Sequence, residues 1–251
     1  MTMFDPPAGR QRQPMFNLPP VIVRVLAFLL AVHLLRAVVL SDDANLWVLL
    51  TFAFIPGRIA GTVDIGFPGG LAGEVWTFVT YAALHANLMH LLVNGVWLAA
   101  FGSPLAWRFG PRRFLAFSAC AAAAGAVAHL LTHSVEAIPM VGASAAISGH
   151  MAAICRFAFD RDRSAGFLPM GQRDWRRPAR PLADILRDGR VLGFLGAWFA
   201  VNLFFGLTNA GAGTESGTLA WEAHIGGFLF GLLAFRFFDP FREQALDRTA
   251  P

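Results

Sequence analysis

Trp76-Thr77-Phe78-Val79-Thr80-Tyr81-Ala82-Ala83-Leu84-His85-Ala86-Asn87-Leu88-Met89-His90-Leu91-Leu92-Val93-Asn94-Gly95 opens a run with no Asp, Glu, Lys or Arg between Val75 and Trp107. A mostly apolar stretch of about 20 residues is long enough to cross a bilayer as a helix. Strongly polar side chains interrupt it, among them His85, His90 and Asn94. Such groups are costly in hydrocarbon, so they are functional candidates by default. His90 and Asn94, spaced i, i+4, share one helix face. His85 lies five residues earlier, about 140° around at 100° per residue, and is expected to face elsewhere.

The rest of the chain agrees with a membrane reading. Of 251 residues 56% are hydrophobic and only 14% charged, against roughly 45–50% and about 25% in a soluble domain. Mean hydropathy is +0.54. That balance excludes a disordered chain, a collagen and a nucleic-acid module. Cys120 and Cys155 lie in apolar stretches and read as small hydrophobes rather than as a disulfide. Six stretches are predicted to span: 21–40, 79–101, 114–131, 144–159, 191–207 and 219–238. Residues 46–55 are apolar but too short to cross and end at Pro56, so an interfacial first loop is expected. The fold class predicted is an all-α integral membrane protein, a six-transmembrane-helix bundle over residues 21–240. Polar tails 1–20 and 241–251 flank it. Arg24, His33 and Arg36 break the first apolar stretch and no small-residue cleavage site follows, so it reads as a retained span.

All 20 basic residues are Arg, and their placement sets the expected topology. Arg10 and Arg12 precede the first span, Arg108, Arg112 and Arg113 follow the second, and eight arginines from Arg161 to Arg190 follow the fourth. The third and fifth loops hold none. Both termini are therefore expected in the cytoplasm, with loops one, three and five outside.

Two further motifs carry chemistry. Val141-Gly142-Ala143-Ser144-Ala145-Ala146-Ile147-Ser148-Gly149 places Ser144 in a helix's first turn, beside free backbone N–H groups that stabilise an anion. There Ser144 is placed as a nucleophile would be, whereas Ser148, one turn deeper, reads as packing. Ala223-His224-Ile225-Gly226-Gly227-Phe228-Leu229-Phe230-Gly231 puts His224, Gly227 and Gly231 on one face. Gly227 and Gly231 permit close helix contact, matched by Ala145 and Gly149 on the Ser144 helix. If the two faces meet, His224 is carried toward Ser144. Gly226, about 100° around, is expected to tolerate substitution better. His33, His129, His133 and His150 show no meaningful spacing and read as structural or interfacial. No His-Glu-x-x-His occurs and no carboxylate sits mid-span, so no metal and no cofactor is expected.

Taken together and in order, His85-x4-His90-x3-Asn94, Gly142-x-Ser144 and Ala223-His224-x2-Gly227-x3-Gly231 resemble the rhomboid family of intramembrane serine proteases. The resemblance implies a Ser–His dyad with Ser144 as nucleophile and His224 as general base. It also implies an oxyanion site in which the Ser144 backbone N–H is joined by His90 and Asn94. With no Asp or Glu following into the membrane, a dyad is expected rather than a triad. Two departures stand out: Ala145 where many members have Gly, and Trp76-Thr77 where many have Trp-Arg, which is expected to weaken a first-loop contact.

The expected function is a serine endopeptidase acting on transmembrane segments of membrane-protein substrates, with the lipid bilayer as surroundings and no nucleic acid partner. A catalytically inactive rhomboid-like binder is the alternative. A small transporter is disfavoured because no half-to-half repeat is found. Richness in Ala and Arg without Lys points to a bacterial cytoplasmic membrane.

Overall fold

The computed structural model describes residues 18–63, 66–159, 178–208 and 220–241, with 205–208 as backbone alone. The tails, the arginines of 161–177 and the fifth loop at 209–219 lie outside the described residues. The described residues are all-helical apart from one antiparallel bridge, Phe54 to Met140.

Helix α1 (Pro20–Leu34) begins at a proline, whose missing N–H is harmless in a first turn, and continues into a π-helical turn at Leu35–Val39. Helix α2 (Asp42–Phe52) is capped by the Ser41 hydroxyl, which accepts from the Ala44 N–H at 3.4 Å. Asp42 and Asp43 sit beside its positive end. The short α3 (Pro56–Ile59) follows, and α4 (Gly70–Thr80) ends in a 3-10 turn at Tyr81–Ala83. Then come α5 (Leu88–Trp97), a π-helical segment (Leu98–Gly102) and α6 (Ser103–Thr132). Gly110, at φ 72° and ψ 167°, is non-helical and divides α6 into arms 103–109 and 111–132, with Pro111 opening the second. Helices α7 (Ser144–Ile154), α8 (Leu182–Ile185), α9 (Gly189–Thr208) and α10 (Trp221–Phe238) complete the order.

Pro20–Val39 and Leu88–Thr132 are long and apolar enough to cross a membrane, and Gly189–Phe204 is a shorter apolar helix. The surface is apolar where a soluble protein's is polar. Phe28, Val96, Leu131, Phe204 and Phe237 are all more than half exposed. His33, Arg36, His85, Asn94, His150, Asn202 and His224 are buried instead. Contiguous apolar exposure around buried polar groups fits a lipid surround.

The second stretch differs from expectation. Leu84 to Asn87 is not helical, so α5 starts only at Leu88, with the Asn87 side chain accepting from the His90 N–H at 2.9 Å. His85 thus precedes the helix, and the 100° rule does not apply to it. Its ring faces His90 after all, with centroids 5.1 Å apart. The fourth stretch is helical only to Ile154, and every residue from Ala145 to Ile154 is buried. Helix α7 is therefore a central post enclosed by α5, α6 and α10.

Two arginines also depart from a simple anchoring role. Arg108 is buried and pairs with Asp239 through two bonds, Nε–Oδ1 at 2.9 Å and Nη2–Oδ2 at 2.8 Å. This joins the break in α6 to the end of α10. In the first loop Arg58, also buried, donates to the carbonyls of Leu50 (3.0 Å), Pro68 (2.8 Å) and Gly70 (3.1 Å). Trp76 Nε1 adds a bond to the Thr51 carbonyl at 2.8 Å. Arg58 and Trp76 thus tie the first loop together through backbone carbonyls, while the Thr77 hydroxyl donates to the Glu74 carbonyl at 3.2 Å.

Candidate active site

Ser144 stands at the first turn of α7 because the chain before it turns sharply. Gly142 holds φ 120°, a region side chains rarely adopt, and its N–H donates to the Tyr81 carbonyl at 3.1 Å. Ser144 has no earlier helical turn to bond back to, so its hydroxyl is free for another partner. Ser148, by contrast, donates to the Ser144 carbonyl at 2.8 Å, the back-bonding expected of a packed serine.

That partner is His224, in the first turn of α10, with Nε2 2.7 Å from Ser144 Oγ. The approach depends on missing side chains. A methyl group on Gly227 would fall on the Ala145 carbonyl, and one on Gly231 on the Gly149 carbonyl. The expected pairing of small faces is therefore present. Gly226 departs from expectation: a Cβ there would lie 2.5 Å from the Ala124 carbonyl and 2.6 Å from the Ala128 methyl of α6. It is closely packed as well, because α10 meets α6 on that side, although the approach of Gly227 to the Ala145 carbonyl is closer still. Gly125 of α6 closes the junction, where a Cβ would meet the Ala145 methyl and the Ala223 carbonyl.

Asn202 on α9 was not singled out from the sequence. Its Oδ1 lies 2.5 Å from His224 Nδ1, while its Nδ2 donates to the Trp198 carbonyl at 2.8 Å. With the amide nitrogen engaged on its own helix, the oxygen faces the imidazole. Nδ1 must then carry the proton, leaving the Nε2 lone pair toward the Ser144 hydroxyl. A dyad without a third partner is thus not what the geometry contains. The signal was available: an isolated Asn in the 191–207 stretch meets the same test applied to His90 and Asn94.

His90 sits in the first turn of α5. A Cβ on Gly142 would lie 2.7 Å from His90 Nε2 and 3.8 Å from Ser144 Oγ, so ring and hydroxyl flank the same glycine. Asn94 is buried one turn on, and its Nδ2 donates to the His90 carbonyl at 2.9 Å. That bond uses one of its two amide hydrogens. The structure therefore brings Ser144, His224 and Asn202 into one hydrogen-bonded line, with His90 beside it and Asn94 one turn further along α5.

Residues 72–239 match the rhomboid domain family. Rhomboid-like protein 16, chloroplastic, of Arabidopsis thaliana is 24% identical over 174 residues, covering 66% of this chain and 49% of that protein. The chain spans about half the length of that relative.

Proposed function

Because the chain belongs to the rhomboid family, we propose that it is an intramembrane serine endopeptidase that cleaves substrate membrane proteins in or near their transmembrane helices. The observation that carries this reading is the 2.7 Å contact between Ser144 Oγ and His224 Nε2. A serine hydroxyl attacks an amide only when an adjacent base accepts its proton, and imidazole is suited to that near neutral pH. In the proposed reaction the Ser144 proton passes to His224 Nε2 as Oγ bonds to the substrate carbonyl carbon. The resulting oxyanion is held by the Ser144 backbone N–H, the His90 ring and the second amide hydrogen of Asn94. His224 then protonates the departing amine as the peptide C–N bond breaks. Water, deprotonated by the same imidazole, then adds to the acyl carbon, and the Oγ–C bond breaks as His224 returns the proton to Ser144 and the acid product leaves.

A fluorophosphonate probe tests this directly. The purified protein is expected to be labelled covalently, and Ser144→Ala is expected to abolish labelling. An unlabelled wild-type protein would favour the inactive binder of membrane proteins instead.

Two expectations concern the supporting residues. His90→Ala and Asn94→Ala should each lower kcat on a reconstituted transmembrane substrate by about 10²-fold, more than they raise KM, because they act where charge develops. A change in KM alone would make them substrate contacts. Asn202→Ala should also lower kcat, by about 10-fold to 10²-fold at unchanged KM, through loss of the His224 tautomer. Asn202→Asp, which keeps the accepting oxygen, should recover part of the loss; equal loss in both variants would remove the orienting role.

The site belongs to a six-span arrangement of residues 21–240 in this reading, with both tails cytoplasmic and Ser144 toward the outer face of a bacterial cytoplasmic membrane. Ser216→Cys in intact cells should react with an impermeant maleimide, and Gln172→Cys should not. The reverse pattern would invert the topology.

A further inference from the structure

We propose that His129, His133 and Glu222 form a binding site for one divalent transition-metal cation, Zn²⁺ by donor chemistry, with Glu136 orienting one ligand. His129 lies in the last turn of α6, His133 caps that helix and Glu222 lies in the first turn of α10. One donor atom from each falls within 4.8 Å of the others. The Glu222 carboxylate lies 3.9 Å from each ring, Oε2 from His129 Nδ1 and Oε1 from His133 Nε2. Two donors across one zinc ion, each about 2.1 Å from it, stand at most about 4.2 Å apart. Less than about 1 Å of side-chain movement therefore brings all three onto a single ion.

Proton placement points the same way. Thr132 Oγ1 has one hydrogen, and the Ala128 and His129 carbonyls lie 3.2 and 3.1 Å from it. It therefore accepts from His133 Nδ1 at 2.8 Å, which leaves the His133 Nε2 lone pair facing Glu222. His129 Nε2 faces the Glu136 carboxylate at 3.5 Å, and Nδ1 is buried without a hydrogen-bond partner among the described residues. When Nε2–H points to Glu136, the Nδ1 lone pair points to Glu222. Two imidazole lone pairs then converge on one carboxylate with no proton between them. That arrangement is repulsive alone and suited to a cation. A carboxylate holding the far nitrogen of a ligating histidine is the usual support of such a site. Two histidines four residues apart and a carboxylate also form a donor set that takes Zn²⁺.

An ion there would join α6 to the start of α10. A ligand bound only by the folded state stabilises it by mass action. The test uses tag-free, chelator-treated full-length protein in detergent, titrated with Zn²⁺ by calorimetry and with Co²⁺ by absorption. Saturable uptake of one equivalent is expected, with ligand-field bands of nitrogen and oxygen donors for Co²⁺ and a higher Tm with Zn²⁺. His133→Ala, at a partly exposed position, and Glu222→Gln should abolish it. Glu136→Gln should weaken binding by about 10–100-fold. Absence of one-equivalent uptake, or equal uptake by His133→Ala and Glu222→Gln, overturns the proposal. A Tm that follows pH but not Zn²⁺ also overturns it, and makes the cluster a set of ion-paired histidines. None of these readouts depends on proteolysis.

Discussion

Alanine at Ser144 or at His224 is expected to abolish cleavage of a reconstituted transmembrane substrate, each change costing at least about 10⁴-fold in kcat. The double variant should be no worse than either single one. The reason lies in the 2.7 Å contact: without the imidazole the hydroxyl keeps its proton, and without the hydroxyl the imidazole has nothing to activate. Losses that multiplied in the double variant would mean that the two side chains act separately. Substantial turnover by either single variant would place the nucleophile elsewhere. Because Ser144 is half-buried at a helix end and its side chain makes no other hydrogen bond among the described residues, Ser144→Ala should insert and fold as the wild type does.

The second large effect is expected at a residue that takes no part in the chemistry. Gly227→Val should remove most activity, because its side chain would land on the Ala145 carbonyl. A backbone oxygen cannot rotate out of the way as a flexible side chain can. Overpacking of this kind costs about 1–3 kcal/mol, and a shift of ~1 Å between two reacting groups can cost about 10²-fold in rate. Gly226→Val should lower thermal stability comparably, since it meets the Ala124 carbonyl of α6. Gly193→Ala on α9, with open space around it, is the control and should remain active. Wild-type activity in Gly227→Val would mean that this helix contact does not position His224.

Much of this was legible from sequence because small residues and polar intruders in apolar runs have few explanations. Gly227 and Gly231 opposite Ala145 and Gly149 was a surface complementarity readable from spacing alone, and the contact is present. Ser148 as packing was equally readable. Spacing failed where the backbone leaves the helix. His85 was rotated away from His90 by a periodicity that does not hold between Leu84 and Asn87. Gly226 was judged from one helix pair, and a third helix packed on its other side. Asn202 was passed over because it lies alone in its stretch, and its partner is contributed by another helix. His129 and His133 do stand four residues apart, a spacing the sequence reading passed over, and Glu222 joins them only through the fold. Arg108 looked like a surface anchor because its counter-ion, Asp239, lies far along the chain.

The enclosure of α7 also bears on how the protein responds to its membrane. An 11-residue helix is about 16 Å long, roughly half of a hydrocarbon core about 30 Å thick. With Ala145 to Ile154 buried among neighbouring helices, it presents no hydrophobic length of its own for lipid tails to match. Thickness mismatch is absorbed by the helices that face outward, through tilt and local deformation. The long Pro20–Val39 segment, with its exposed apolar face, is the part free to adjust. Acyl chains that are somewhat longer or shorter would tilt this outer wall. The depth of Ser144 is set instead by glycine-to-backbone contacts inside the protein, and it stays fixed relative to His224.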